Sequence, residues 1–130
     1  MKKIMVFALC ASCGAVFAAD AVVDTVTGEP QVVSKATSTS YVFTSGGSIT
    51  FSQSGTIDLL MVGGGGAGGT MIGAGGGAGE MKAISSYEVE AGVEYAVTIG
   101  AGGAPSGVQG MANWFQIGGN GGDTTFGELT

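Results

Sequence analysis

Histidine and arginine do not occur in this 130-residue chain, and its only cationic side chains are four lysines. Without histidine, and with both cysteines confined to the first 13 residues, the chain has no nucleophile–base pair of the kind acyl transfer needs. Phosphate backbones require clustered Lys or Arg, so nucleic acid is excluded as a partner, and an anionic membrane surface is excluded for the same reason. Proline appears twice, and charged residues make up 11% of the chain. No segment beyond the N-terminal run shows a 3.6-residue apolar period, which leaves no candidate for an amphipathic helix.

The N-terminus reads as a secretory signal. Lys2 and Lys3 are a positive start, Ile4 to Ala15 is apolar, and Val16-Phe17-Ala18 presents small residues where a signal peptidase cuts, so cleavage is expected after Ala18. The apolar run is shorter than the roughly 20 residues of a spanning helix, which argues against a membrane span in the mature chain. Ala11-Ser12-Cys13 offers a competing lipidation site at Cys13, although Cys10 stands where such sites usually carry leucine. Cleavage after Ala18 would remove both cysteines and two lysines. Lys35 and Lys82 would then face ten acidic residues. Such a chain has no disulfide and must be held by packing and backbone hydrogen bonds.

What the chain has in abundance is glycine: 27 residues, of which 21 lie between Gly63 and Gly122. Glycine loses more backbone freedom on folding than any other residue, and an isolated tract should behave as a flexible linker. These tracts are instead joined directly to strand-like runs, IDLLMV before and VEYAVTI between them, which points to ordered glycine. Such segments can adopt the polyproline II conformation, rising about 3.1 Å per residue with three residues per turn. Gly63–Gly69 and Gly73–Gly79 would each span on the order of 20 Å, with Thr70-Met71-Ile72 reversing the chain. Having no internal hydrogen bonds, they need neighbours, and residues 100–110 and 118–122 are candidates. The glycines assigned this structural role are Gly63, Gly64, Gly65, Gly66, Gly68, Gly69, Gly75, Gly76, Gly77, Gly102, Gly103, Gly118, Gly119, Gly121 and Gly122.

The remainder reads as strands. Residues 19–39 form a leader in which VVDTV and QVV are short edge strands or loose chain. YVFT and SITFS are expected as two strands about a tight Ser45-Gly46-Gly47 turn, with Tyr41 and Phe43 on one face, and Ile49 and Phe51 likewise. TIDLLMV is apolar on both faces apart from Asp58 and suits a strand inside a sheet. EMKAISSYEVE alternates loosely, and Val93, Tyr95, Val97 and Ile99 alternate cleanly after an Ala91-Gly92 turn.

Three constellations bear on chemistry. Gly64-x-Gly66-x-x-Gly69 fits a dinucleotide fingerprint, but that motif must open a helix, and the glycine-rich sequence that follows cannot form one; no cofactor is expected. Glu88 and Glu90 share a strand face and Glu94 follows the turn. Paired carboxylates can hydrolyse glycosides if a cleft holds them, and otherwise are solvated edge charges. Asn120 and Asp123 could offer oxygen ligands to calcium, though a turn-capping aspartate explains Asp123 equally simply, and no metal site is expected. Met111, Trp114 and Phe115 interrupt the second tract at a loop tip. They are either anchors for a surface glycan or protein ligand, or a plug for the open end of the domain.

VGGGGAGG, GAGGGAGE, VEYAVTIGAGG and GGNGGDTTFG together resemble the glycine-rich domain of bacterial and phage surface proteins, including tail-fibre and adhesin proteins. A related region occurs in receptor tyrosine kinases of the anaplastic lymphoma kinase type. The resemblance spans about residues 40–130. It implies an all-β fold, a small antiparallel β-sandwich carrying polyproline-II-like glycine segments (polyglycine II), here preceded by a signal-peptide helix over residues 1–18. It implies attachment or structural use and no catalytic residues. It also implies that GGNGGDTTFG leads into further strands, so a chain stopping at Thr130 is either a truncated frame or a domain completed differently. The expected function is a secreted or cell-surface, non-enzymatic structural or adhesion module of a bacterium. The alternatives are a fragment of a secreted carbohydrate-active enzyme using its paired glutamates, and a truncated frame with no independent function.

Overall fold

The computed structural model describes residues 3–8, 21–36, 38–69, 74–105 and 117–130. Nine strands follow one another: β1 (Lys3–Ala8), β2 (Val22–Thr27), β3 (Gln31–Ser34), β4 (Ser38–Phe43), β5 (Gly47–Gln53), β6 (Gly55–Val62), β7 (Met81–Val89), β8 (Glu94–Thr98) and β9 (Thr125–Phe126). They form two sheets, one ordered β3-β4-β1-β6-β7 and the other β2-β5-β8-β9. No helix occurs among the described residues.

Alternation decides which side chains go inward. In β5 Ile49 and Phe51 are buried, in β6 Ile57, Leu59 and Met61, in β8 Tyr95 and Val97, while their sequence neighbours are more exposed. These residues join Phe43, Val89 and Phe126 in a single buried cluster drawn from both sheets. Phe43, Phe51, Phe126, Ile49, Ile57 and Val89 are the largest side chains fully removed from water. Each contributes on the order of 1.5–3 kcal/mol by that burial. The rings of Tyr95 and Phe126 stack with centroids 5.2 Å apart, and Phe51 meets Tyr95 edge-on at 5.8 Å.

Several expectations change on this framework. The Ser45-Gly46-Gly47 turn does not close a hairpin, because β4 belongs to one sheet and β5 to the other. The turns at Gln53-Ser54-Gly55 and Ala91-Gly92 likewise carry the chain between sheets. Short apolar strands that share one core are served equally well by either connection, so spacing alone could not separate them. The leader supplies two edge strands, β2 and β3. Lys3–Ala8 is a strand, where a signal-peptide helix was expected; residues 1–2 and 9–20 lie outside the described residues. Its Ile, Val and Phe suit a strand, and its backbone pairs with β4 on one side and β6 on the other. Both pairings are parallel, an exception in sheets that are otherwise antiparallel as expected. All the other strand pairings are antiparallel.

Asp58, the lone charge in β6, answers a local need. A register shift opposite it places Ser86 at φ 56°, a conformation costly for a residue with a Cβ, and the Ser86 amide donates to Asp58 Oδ1 at 3.0 Å.

Candidate functional site

Four extended segments stand at one end of the strands. Segment a, residues 63–69, continues β6, and segment b, residues 74–80, runs into β7. Segment c, residues 99–105, leaves β8, and segment d, residues 117–123, leads towards β9. The strand register persists into them. Val62 faces Met81 in the β6–β7 ladder, and beyond it the amides of Gly63, Gly66 and Gly69 donate to the carbonyls of Glu80, Gly77 and Ala74 at 2.8, 2.9 and 3.1 Å. The β8–β9 pair behaves alike: Val97 faces Phe126, and then Gly122 N donates to Ala101 O at 2.8 Å and Gly119 N to Ala104 O at 2.9 Å.

What changes at the glycines is the hydrogen-bond period. Along segment a every third amide reaches segment b, while Gly64 and Ala67 donate to Gly122 and Gly119 of segment d, both at 2.9 Å. Gly65 O accepts from Gly103 N of segment c at 2.8 Å. Three residues make one turn, and each of the three faces a different neighbour. This is the three-residue period of polyproline II, satisfied by packing instead of by internal bonds.

Space, not left-handed backbone, explains the glycine. The only described glycines with positive φ are Gly28, Gly92 and Gly127, all outside the four segments. A Cβ on Gly64, Gly76, Gly103, Gly118 or Gly121 would lie closer than 3.0 Å to backbone atoms of a neighbouring segment. Gly79 and Gly100 are in the same position and were not among the expected structural glycines. A three-residue step from Gly76 and from Gly103 reaches both, a signal readable in the sequence. Gly63, Gly65, Gly66, Gly68, Gly102, Gly119 and Gly122 face their neighbours at 3.1 Å or more, and Gly75 and Gly77 face open space. Gly69 takes part through its bond to Ala74.

One side chain ties this end together. Thr124, 4% exposed, donates its hydroxyl to Val62 O at 2.7 Å and accepts from Gly100 N at 2.9 Å. It thereby joins the end of β6 to the start of segment c, that is, one sheet to the other. Nothing in GGDTTFG distinguished it from an ordinary pre-strand threonine.

The remaining candidates sit apart. Met111, Trp114 and Phe115 lie outside the described residues. Glu88, Glu90 and Glu94 are exposed, with Glu88 and Glu90 on or beside the edge strand β7 and along an open surface shared with Ser54 and Tyr95. The Glu90 amide, not its carboxylate, holds the local geometry by donating to Tyr95 Oη at 2.9 Å. Asn120 and Asp123 border a shallow groove with Glu80, along segments a, b and d. Among the described residues no three of His, Cys, Asp or Glu cluster, and no helix is long and apolar enough to cross a membrane. Gly64-x-Gly66-x-x-Gly69 opens segment a, not a helix.

These features define an all-β domain in which two strand pairs extend into backbone-packed glycine segments. The chain belongs to the glycine-rich domain family, which matches residues 35–130. No curated protein and no solved structure matches it.

Proposed function

We propose that this chain is a secreted, non-enzymatic structural and attachment module of a bacterial surface, a β-sandwich carrying a polyglycine II sheaf as its rigid end. The observation that carries the reading is the three-residue register of the glycines. Side chains have been removed where backbone meets backbone, and the result is a packed body of peptide groups, not a chemical site. The exposure of Glu88, Glu90 and Glu94 supports the non-enzymatic part, because paired carboxylates hydrolyse glycosides only where a cleft holds them. The Lys2-Lys3 start, the apolar run and the small residues ending at Ala18 support secretion.

The sequence between segments c and d carries Met111, Trp114 and Phe115. Aromatic anchors on a rigid base suit a surface glycan or protein ligand. The test is binding of the purified secreted chain to a glycan array and to bacterial and host cells, with Trp114→Ala alongside. Saturable binding reduced at least tenfold by Trp114→Ala is expected. Hydrolysis of an arrayed glycan that Glu90→Gln abolishes would overturn the reading in favour of an enzyme.

A further inference from the structure

The sheet β3-β4-β1-β6-β7 depends on its middle member. β4 is paired with β3 on one edge and β1 on the other, and β6 with β7 and β1. The β3–β4 hairpin is therefore joined to β6–β7 only through Lys3–Ala8. Those six residues lie inside the segment read as a cleavable signal. Cleavage after Ala18 would leave two separate two-stranded ribbons, with a gap one strand wide and an unpaired backbone edge on each side. Isolated two-stranded ribbons are marginal in water, and exposed edges accept added strands. The walls of this gap carry core side chains: Phe43 is fully buried, and Leu59 and Met61 are 2% exposed. A mature chain with the gap empty would expose that apolar surface to water.

We propose that in the mature protein this slot receives an extended apolar segment of a different polypeptide, added parallel to β4 and β6. The inference rests on the signal reading given above. A second copy is the weaker occupant, because every mature copy lacks the same strand and the leader of each is already used as β2 and β3. The occupant's chemistry follows from the slot. It is about six residues long, because β1 aligns Lys3 with Ser38 and Ala8 with Phe43. Beyond its first residue, where Lys3 stands opposite Ser38, it is uncharged, since the one charge on the walls, Asp58, is engaged by the Ser86 amide. It carries a small residue at the position between Phe43 and Met61, where Ala8 stands in register with both. Main-chain hydrogen bonds to both edges would provide affinity, and alternate side chains specificity, as in other cases of strand addition.

The test uses the secreted product of the full-length chain, its N-terminus read by mass spectrometry. Amide hydrogen exchange is then followed with and without a synthetic peptide of residues 2–9, and with its Val6→Pro version, which lacks a ladder donor. The expected result is a product beginning at Ala19 whose β4 and β6 amides exchange at least tenfold more slowly at saturating peptide, with no response to the Val6→Pro peptide. If the cleaved chain exchanges freely throughout, the peptide must restore protection in β5 and β8 as well; failure to do so overturns the proposal. It is also overturned if a cleaved monomer already protects β4 and β6 without peptide, which would mean the gap has closed. Protection found only in a dimer assigns the slot to a second copy and overturns it too. A product that retains residues 1–18 overturns the signal reading itself, an outcome distinct from the others.

Discussion

At the scale of single residues, two glycines of the packed segments, Gly121 in segment d and Gly77 in segment b, have opposite reasons for being there. A Cβ on Gly121 would fall on the Gly64 carbonyl, whereas Gly77 has nothing within 4 Å. Neither is in the left-handed region. Gly121→Ala must push two backbones apart and is expected to destabilise by about 1–3 kcal/mol, the usual cost of overpacking. Gly77→Ala removes unfolded-state freedom without a clash and should be neutral or stabilising by up to about 1 kcal/mol. Urea midpoints at equal slope measure both, and equal losses at the two sites would refute the packing account. The tyrosines make a second prediction. Burial raises the pKa of Tyr41 above its ordinary value of 10.0. Burial likewise raises that of Tyr87, with electrostatic repulsion from Tyr95 and Glu128 adding to it. A folded-state pKa above the unfolded one favours the fold below about pH 10, and that contribution is lost as pH climbs through the raised value. The melting temperature should therefore fall above about pH 10, and fall less steeply in the Tyr41→Phe, Tyr87→Phe double variant.

At the scale of elements, each strand pair passes into its pair of glycine segments without a change of register, and Thr124 sits where the change of period occurs. Its hydroxyl is the only side-chain group among the described residues bonded to both Val62 O and Gly100 N. Thr124→Val keeps the shape but strands a half-buried carbonyl and a buried amide, which costs about 1–3 kcal/mol; Thr124→Ser keeps the hydroxyl and should recover much of it. Thermal or urea unfolding of the two variants separates the hydrogen bonds from the packing. This element level is also where the sequence was most and least legible. Alternation in SITFS and VEYAVTI identified buried Ile49, Phe51, Tyr95 and Val97, because a two-residue period leaves its mark on every position. The glycine tracts were recognisable as packed rods because only close approach rationalises so many absent side chains beside good strands. The sheet assignment of the strands was not readable, since a glycine turn crossing between sheets looks like one closing a hairpin. Thr124 was invisible, because its role depends on two backbone groups, at Val62 and Gly100, that carry no side-chain signature.

At the scale of the whole molecule, the sheaf couples the two sheets. Segments a and b grow from β6 and β7 of one sheet, and segments c and d from β8 and β9 of the other. The bonds from Gly64 and Ala67 to segment d, and from Gly103 to Gly65, therefore cross between sheets. If the glycine segments were appendages, disturbing them would leave the sheets untouched. If they are a clamp, loosening them must be felt on both sides of the core. Gly64→Ala is the sharpest probe, because its Cβ would strike the Ala101 carbonyl of segment c and approach the Gly122 amide of segment d. A destabilisation of about 1.4–2.8 kcal/mol corresponds to a 10- to 100-fold rise in exchange through global opening. The slowest amides of β6, in one sheet, and of β5 and β8, in the other, should accelerate by the same factor. Acceleration confined to residues 63–69, 100–104 and 117–122 would show instead that the two sheets hold without the sheaf, and that the glycine is there to reach outward, not to bind the sheets together.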